Sequence, residues 1–391
     1  MLGQVSGTHY QRVLAVPHSV LLCTKTTTMA AAAASGGGGS SVCASPAAGP
    51  SLATAAATAP APATGTAAAP AVSTPLAYGW DDQLELRGHS DNVESLALLP
   101  GGRLASGDDG GTVRLWDVAR GGDPTAVLEG HDARVLALVA LPDGRRLVAA
   151  ANGRHPTASG TIVVWDTGVM PPTRCATIDC GRGLNALAVL RDGRFATGFN
   201  NGDVRLVEVN AGAGAVTATL KGHVHVVAAL AVLPDGTLAS GAWDHTVRLW
   251  DVGAAVCVAT LAEHTGNVNA LAVLADGRLA SGSDDKTVRL WDVVTRTCVG
   301  VLKGHTYYVL ALAPLPDGRL ASGSADSTLR VWDTRPPAAG VLAMMKRVWR
   351  RTTPVVVLEG HGFHALQPLP GGRLASGWWD RGVNLWRVPP L

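Results

Sequence analysis

Residues 279–292 read LASGSDDKTVRLWD, and related versions of this segment recur along most of the chain. Each version ends in a Trp-Asp pair or a looser counterpart, and successive pairs lie 41 to 54 residues apart. An internal period of this length is typical of architectures that repeat one small structural unit. The sequence therefore predicts seven units, whose final pairs begin at Trp116, Trp165, Val207, Trp250, Trp291, Trp332 and Trp386.

The unit that ends at Trp291 predicts four strands. Residues 268–274 alternate apolar with small or polar side chains, and Asp276-Gly277 is typical of a tight hairpin turn. Residues 278–283, 287–291 and 297–302 continue as three further strands. A four-stranded antiparallel sheet has two apolar faces that it cannot bury alone, so copies pack face to face around an axis. The predicted fold is an all-β, seven-bladed propeller.

A Gly-His pair followed by the segment 279–292 resembles the repeats of the WD-repeat (WD40) family, and the resemblance covers roughly residues 80–391. It implies four-stranded antiparallel blades, a propeller domain over residues 78–391 and partners that are proteins or peptides. The last unit ends without residues for a fourth strand. We therefore expect residues 82–86 to pair with residues 383–386 and close the ring, as the resemblance also implies.

Residues 1–77 form a leader rich in Ala, Gly, Ser, Thr and Pro. Such a composition offers little to bury, so we predict that the leader is disordered. Its lack of acidic residues also suits an organelle-import peptide, and Met29 is an alternative start of the protein. Otherwise the protein is expected in the cytoplasm or the nucleus.

Four units carry a His, a Ser, an Asp and a Trp at nearly constant offsets. A catalytic triad occurs once per active site, whereas this set recurs with the hydrophobic pattern, so we interpret it as a hydrogen-bonded fastener within each blade and predict a non-enzymatic protein. The WD40 resemblance implies the same tetrad. Unit 1 has Gly110 at the Asp position, unit 3 has Asn201 and unit 2 has an enlarged loop at residues 152–159, so blades 1–3 are expected to be looser. The tetrads are His223, Ser240, Asp244, Trp250; His264, Ser281, Asp285, Trp291; His305, Ser322, Asp326, Trp332; and His361, Ser376, Asp380, Trp386.

Composition argues against several other kinds of site. The six cysteines lack the paired spacing of a zinc or disulfide framework, and no Gly-rich phosphate loop is present, so we predict no metal and no cofactor. No run of 18 apolar residues predicts a membrane span. The 32 basic and 30 acidic residues are close to balanced, which makes nucleic acid an unexpected partner except at residues 346–351 of a basic insertion, 336–352.

The resemblance places partners on the face that carries the loops before each first strand and between the second and third strands. Aromatic and arginine side chains are typical of interface centres. Glu94, Asp109 and Asp284 near Trp243 and Trp379 predict a peptide ligand that contains Lys or Arg. The candidate partner-binding residues are Asn92, Glu94, Asp109, Arg134, Trp243, Asn267, Asn269, Asp284, Tyr308, His364 and Trp379.

An alternative function rests on residues 320–335. This segment resembles the box by which some WD-repeat proteins dock onto the damaged-DNA-binding adaptor of cullin-type ubiquitin ligases. Asp326, Trp332, Asp333 and Arg335 match its key positions, and only Arg335 departs from the ordinary repeat. The leading prediction is a non-catalytic scaffold that assembles proteins, and the alternative is a substrate receptor of a ubiquitin ligase.

Overall fold

The computed structural model describes most of the chain after residue 83. The predicted basic insertion, Trp379, and the tetrad members His361 and Asp380 lie outside the described residues. The described ranges are 14–15, 76–77, 84–131, 133–153, 159–210, 213–335, 353–360, 363–377 and 381–389.

Within these ranges the strands form seven sheets, which are the seven blades of a β-propeller. We name the strands of each blade a to d, from the axis outward. Blades 1 to 3 consist of Val93–Leu98, Arg103–Asp108, Val113–Asp117 and Ala126–Leu128; Ala133–Ala140, Arg146–Gly153, Gly160–Asp166 and Thr173–Gly181; and Leu184–Val189, Phe195–Phe199, Val204–Asn210 and Ala213–Leu220. Blades 4 and 5 consist of Val227–Val232, Leu238–Ala242, Val247–Asp251 and Val256–Leu261; and Val268–Val273, Leu279–Ser283, Thr287–Asp292 and Thr297–Lys303. Blades 6 and 7 consist of Val309–Pro314, Arg319–Ser324, Thr328–Asp333 and Val356–Glu359; and Ala365–Leu369, Arg373–Gly377, Gly382–Arg387 and Leu84–Arg87.

Two further strands of two residues each fall within the predicted leader. Leu14–Ala15 pairs in parallel with strand a of blade 4, and Leu76–Ala77 pairs in parallel with strand d of blade 6. The remaining residues of the leader lie outside the described ranges, so its disorder stays a prediction.

The strands differ in burial according to their distance from the axis. Strands a of neighbouring blades contact one another around the ring, and Val268–Val273 is buried along most of its length. Strand d of blade 4, Val256–Leu261, is mostly exposed or half-buried. Because strand a is enclosed on both faces, its sequence reads as an almost continuous run of apolar and small residues.

Contacts between blades explain the recurrent Leu-Ala-Ser-Gly segment. Trp291 in strand c of blade 5 is buried in one hydrophobic cluster with Ala239, Val247 and Leu249 of blade 4. A Cβ atom added at Gly282 would lie 2.7 Å from Val309 Cγ1 of blade 6. A larger residue at this position would therefore push neighbouring blades apart.

The ring closes through the segment that precedes blade 1. Leu84–Arg87 pairs antiparallel with strand c of blade 7, in the register Leu84 to Leu385 and Leu86 to Val383. Leu86 is completely buried in this position. The prediction that an N-terminal strand completes the last blade is confirmed, with the strand extending to Arg87.

Candidate functional site

The fastener has the same geometry in blades 4, 5 and 6. In blade 5, His264 Nδ1 lies 2.6 Å from Asp285 Oδ2, and His264 Nε2 lies 2.7 Å from Ser281 Oγ. Trp291 Nε1 donates to the same Ser281 Oγ at 2.7 Å. The corresponding distances in blades 4 and 6 agree with these within 0.3 Å. Each fastener thus ties the loop before strand a to strands b and c.

Electrostatics keep the fastener carboxylates ionised. Burial opposes ionisation of Asp285, but the hydrogen bond and charge of His264 outweigh it and hold the pKa of Asp285 well below its usual range. Burial lowers the pKa of His305 in blade 6, and Asp326 opposes that shift. An ionised carboxylate only accepts, so histidine Nδ1 donates to Asp and, in its neutral form, Nε2 accepts from the Ser hydroxyl.

The same tetrads lack the access that a hydrolase needs. Ser240, Ser281 and Ser322 are completely buried, and each of their hydroxyls is already bonded to both His and Trp. A nucleophile must reach the carbonyl carbon of its substrate. These Ser-His-Asp sets therefore stabilise blades and have no room for a substrate.

Blade 1 differs from the sequence expectation. Its carboxylate comes from Asp108, two residues before Gly110, and Asp108 Oδ2 lies 2.7 Å from His89 Nδ1. His89 Nε2 and Trp116 Nε1 both lie within 2.7 Å of Ser106 Oγ. The prediction of an incomplete fastener in blade 1 was wrong, because an aspartate at the end of strand b reaches the same histidine nitrogen as one in the following turn.

Blades 2 and 3 lack parts of the fastener. In blade 2 the register aligns Ala149 with the fastener serine, and Trp165 Nε1 is buried without an acceptor among the described residues. In blade 3, Thr197 occupies the serine position and Val207 the tryptophan position. Blade 7 retains the bond from Trp386 Nε1 to Ser376 Oγ at 2.8 Å.

The candidate partner-binding residues that the structure describes, all of the predicted set except Trp379, lie on one face of the ring, here called the upper face. A backbone hydrogen bond joins the turn between strands b and c to the residue before strand a in blade after blade. Asp284 N donates to Asn267 O at 2.9 Å, and Trp243 N donates to Val226 O at the same distance. The turn and the loop before strand a therefore form one surface in each blade.

A charged cluster on the upper face joins blades 7, 1 and 2. Arg134 donates to Asp109 at 2.5 Å and to Glu94 at 3.1 Å, and His364 Nδ1 lies 3.6 Å from Glu94. Asn92 also donates to Asp109, at 3.4 Å. Burial and the charge of Glu94 raise the pKa of Asp109, and Arg134 opposes that rise. Arg134 of blade 2 thus offsets part of the negative charge of Glu94 and Asp109, the carboxylates that the sequence predicts to bind a Lys or Arg side chain of the ligand.

Asp284 has different surroundings on blade 5. Asn267 Nδ2 donates to one of its carboxylate oxygens at 2.9 Å, and Asn269 Nδ2 donates to the other at 2.7 Å. These two amides orient the Asp284 carboxylate on the upper face.

Aromatic side chains lie on the blades at either side of Asp284. On blade 4, Trp243 packs against His225 with ring centres 5.7 Å apart, and Trp243 Nε1 has no acceptor within the described part of the chain. On blade 6, Tyr307 packs against Tyr308 at 4.1 Å, and Tyr307 is 47% exposed. Sequence reasoning missed His225 and Tyr307, although the loop before strand a in these units is more apolar or aromatic than in blade 5.

Comparison with known proteins agrees with this architecture. The family model described as "WD domain, G-beta repeat" (WD40) matches residues 80–117, 122–166, 214–251, 255–292 and 296–333, which together cover half of the chain. The chain belongs to the WD40 family. Propellers of the WD40 family are generally non-catalytic interaction scaffolds.

Proteins similar to this chain include two that are named for ribosome biogenesis. The chain is 27% identical over 186 residues to the "Ribosome biogenesis protein WDR12 homolog" of Chlamydomonas reinhardtii, and this match covers 45% of this chain and 38% of that protein. It is 62% identical over 37 residues to the rat "Ribosome biogenesis protein BOP1", covering 9% and 5%. It is 36% identical over 94 residues to rat "WD repeat domain 54", covering 24% and 27%. The chain thus spans less than half the length of each of these relatives.

Most side chains of the predicted adaptor box make contacts within their own WD40 repeat. Trp332 is 1% exposed and donates to Ser322 Oγ, and Asp326 is bonded to His305. Arg335 is half exposed and donates through Nε and Nη2 to the two oxygens of Asp333 at 2.8 and 2.9 Å. Of the four box residues, Arg335 therefore offers the most accessible side chain.

In the described part of the chain, no helix has the length and apolar character needed to cross a membrane.

Proposed function

We propose that this WD40 protein is a protein-interaction scaffold whose upper face binds a peptide segment carrying a lysine or arginine. The observation that carries the proposal is the Asp284 carboxylate, oriented by Asn267 and Asn269, on the blade between those of Trp243 and Tyr307. A cation near a carboxylate and aromatic rings gains both ion-pair and cation–π stabilisation. The ligand's cationic side chain therefore binds at blade 5.

Aromatic contact area for such a peptide lies nearby on blade 4. Trp243 packs against His225 there, with ring centres 5.7 Å apart. Val224, which is 82% exposed, adds an apolar contact beside it on blade 4. The cluster of Glu94, Asp109, Arg134 and His364 contributes less to cation binding, because Arg134 already neutralises part of its charge. Among the described residues, Tyr308 and Asn92 complete the proposed upper-face contacts.

The relatives point to a cellular process for this scaffold. Two of them are ribosome biogenesis proteins by name. We infer that this protein assembles factors in ribosome biogenesis and acts in the nucleus. The ubiquitin-ligase alternative has weaker support, because the Arg335 guanidinium is already held by two hydrogen bonds to Asp333.

The test compares proteins recovered by affinity purification from native cells at equal expression. Wild type, Trp243→Ala, Asp284→Asn and Val294→Ala are each tagged and analysed by mass spectrometry. Val294 is 86% exposed in the turn after strand c of blade 5, so its truncation is a control for surface changes away from the upper face. We expect the Trp243 and Asp284 variants to lose a set of ribosome biogenesis factors that wild type and Val294→Ala retain.

Two outcomes would contradict the proposal. Recovery of the same partners with all four proteins would remove the upper face as the binding site. Cullin-ligase adaptor subunits that appear with wild type and disappear with Arg335→Ala would favour the substrate-receptor function instead.

A further inference from the structure

A two-residue strand of the leader lies inside the ring of strands a. Leu14–Ala15 contacts strands a of blades 1 to 5, and it pairs in parallel with that of blade 4, in the register Leu14 to Ala229 and Ala15 to Leu230. Among the described residues, blade 4 is the one blade whose sheet continues beyond strand a toward the axis. The leader therefore adds a strand to the inner edge of blade 4, within the central channel.

The direction of this strand follows from its parallel pairing. Strand a of blade 4 begins at Val227, next to the upper-face bond from Trp243 N to Val226 O, and runs to the turn between strands a and b at the opposite face. A parallel partner runs the same way along the sheet. The Leu14–Ala15 strand therefore has its amino end toward the upper face and its carboxyl end toward the opposite face.

A basic residue precedes this strand in the sequence. Arg12 and Lys25 are the formally charged residues of 1–80. Arg12 stands two residues before Leu14, and an extended chain spans about 7 Å over two residues. Lys25 follows Ala15 by ten residues, beyond the end of the strand that points away from the upper face. The leader thus offers one cation within reach of the upper face.

The upper end of the channel presents a carboxylate to that cation. Leu14–Ala15 contacts strand a of blade 5, in which Asn269 donates to Asp284 Oδ1 at 2.7 Å. The same strand also contacts strand a of blade 1, but there a second cation would meet Arg134, which binds both carboxylates of the charged cluster. Charge complementarity therefore favours Asp284 as the partner of a leader cation.

We propose that the leader is an intramolecular ligand of its own propeller: the Leu14–Ala15 strand anchors it in the channel, and Arg12 binds Asp284 on the upper face. This inference rests on the proposed function, because Arg12 then occupies the position of the cation of a partner peptide. A tethered ligand has a high effective concentration, so it competes with a free peptide for the same position. A partner must therefore displace the leader in order to bind.

The test measures binding of a fluorescent peptide to the full chain by anisotropy. The probe is a synthetic copy of residues 8–16 with blocked ends, so it carries the same arginine and the same pairing segment as the leader. Arg12→Gln in the chain should bind the probe at least about tenfold more tightly than wild type, because its own leader competes less. Lys25→Gln removes the other charge of the leader and should bind the probe as wild type does.

A covalent lock provides the reverse change. Leu14→Cys combined with Ala229→Cys joins two residues that are paired across neighbouring strands, at a spacing that a disulfide can bridge. The oxidised variant should bind the probe at least about tenfold more weakly than wild type, and a reductant should restore binding. Leu14→Cys alone is the matched control and should bind equally with and without reductant. Failure of the paired cysteines to form a disulfide would overturn the docking of the leader.

A further variant separates this inference from the proposed function. Adding Asp284→Asn to Arg12→Gln should weaken probe binding at least about tenfold, because the carboxylate that binds the cation is gone. If the double variant binds the probe as Arg12→Gln does, or if Arg12→Gln does not bind it, the upper-face cation site is wrong and the intramolecular ligand fails with it. If Asp284→Asn weakens binding but Arg12→Gln binds as wild type does, the cation site stands and only the intramolecular ligand is overturned.

Discussion

The carboxylate that binds a fastener histidine can come from more than one position in the chain. Asp108 at the end of strand b and Asp285 in the following turn both place an oxygen within 2.7 Å of a histidine Nδ1. Asp108 is fully buried and also receives hydrogen bonds from the backbone and side chain of Thr112. The hydrogen-bond geometry is therefore kept while the sequence offset changes by two residues.

The effect of the fastener serine on stability can be tested by single substitutions. Ala149→Ser in blade 2 should raise the free energy of unfolding by about 1 kcal/mol, because the new hydroxyl gives buried Trp165 Nε1 an acceptor. Ser240→Ala in blade 4 is the matched reverse change and should lower it by about 1 to 3 kcal/mol, since it leaves Trp250 Nε1 without its acceptor. Urea unfolding measures both. A loss of stability in Ala149→Ser would show that blade 2 has no room for the fastener.

The element on which the ring depends is the strand Leu84–Arg87. It supplies strand d of blade 7 from the other end of the propeller sequence and covers Gly382–Leu385 by antiparallel pairing. Without it, the outer edge of strand c in blade 7 would present unpaired backbone groups. A strand of four residues therefore links the first and last units of the propeller.

Two truncations test this element. Deletion of residues 1–87 should lower the melting temperature by several degrees, because the burial of Leu86 alone is worth about 2 kcal/mol. Deletion of residues 1–76 leaves the closing strand in place and removes only the short pairings at Leu14–Ala15 and Leu76, so it should lower the melting temperature much less. Equal melting temperatures for the two truncations would mean that the closing strand adds no stability to the ring.

At the scale of the whole molecule, the blades are unequal. Blades 1, 4, 5 and 6 have complete fasteners, whereas blade 2 has Ala149 at the serine position and blade 3 has Val207 at the tryptophan position. A cavity of about 380 Å³ lies between the two incomplete blades. Among the six blades whose fastener positions are fully described, the irregular part of the ring is therefore a continuous sector.

Hydrogen exchange measures this inequality. Backbone amides in strands b and c of blades 2 and 3 should exchange faster than the equivalent amides of blades 4 to 6, because local opening there breaks fewer hydrogen bonds and contacts. Blade 1 should exchange as slowly as blade 4, since Asp108 completes its fastener. Uniform exchange around the ring, or fast exchange in blade 1, would contradict the assignment.

Local patterns in the sequence were sufficient for the architecture. The spacing of the Trp-Asp pairs, strand alternation and turns such as Asp276-Gly277 predicted seven four-stranded blades, and the missing last strand predicted closure from the N-terminal side. These features depend on neighbouring residues and on the arithmetic of the repeat. They can therefore be derived without knowing how the blades pack.

Only the tertiary structure decided the chemistry between units. It placed Arg134 of blade 2 against Glu94 and Asp109 of blade 1, so that part of the predicted acidic surface is internally neutralised. It also located a cavity between blades 2 and 3, lined by Val164 and Ala176 of one blade and by Phe195 and Val209 of the other. These features depend on distances between side chains of different strands or blades, and those distances are set by packing around the axis rather than by position in the repeat.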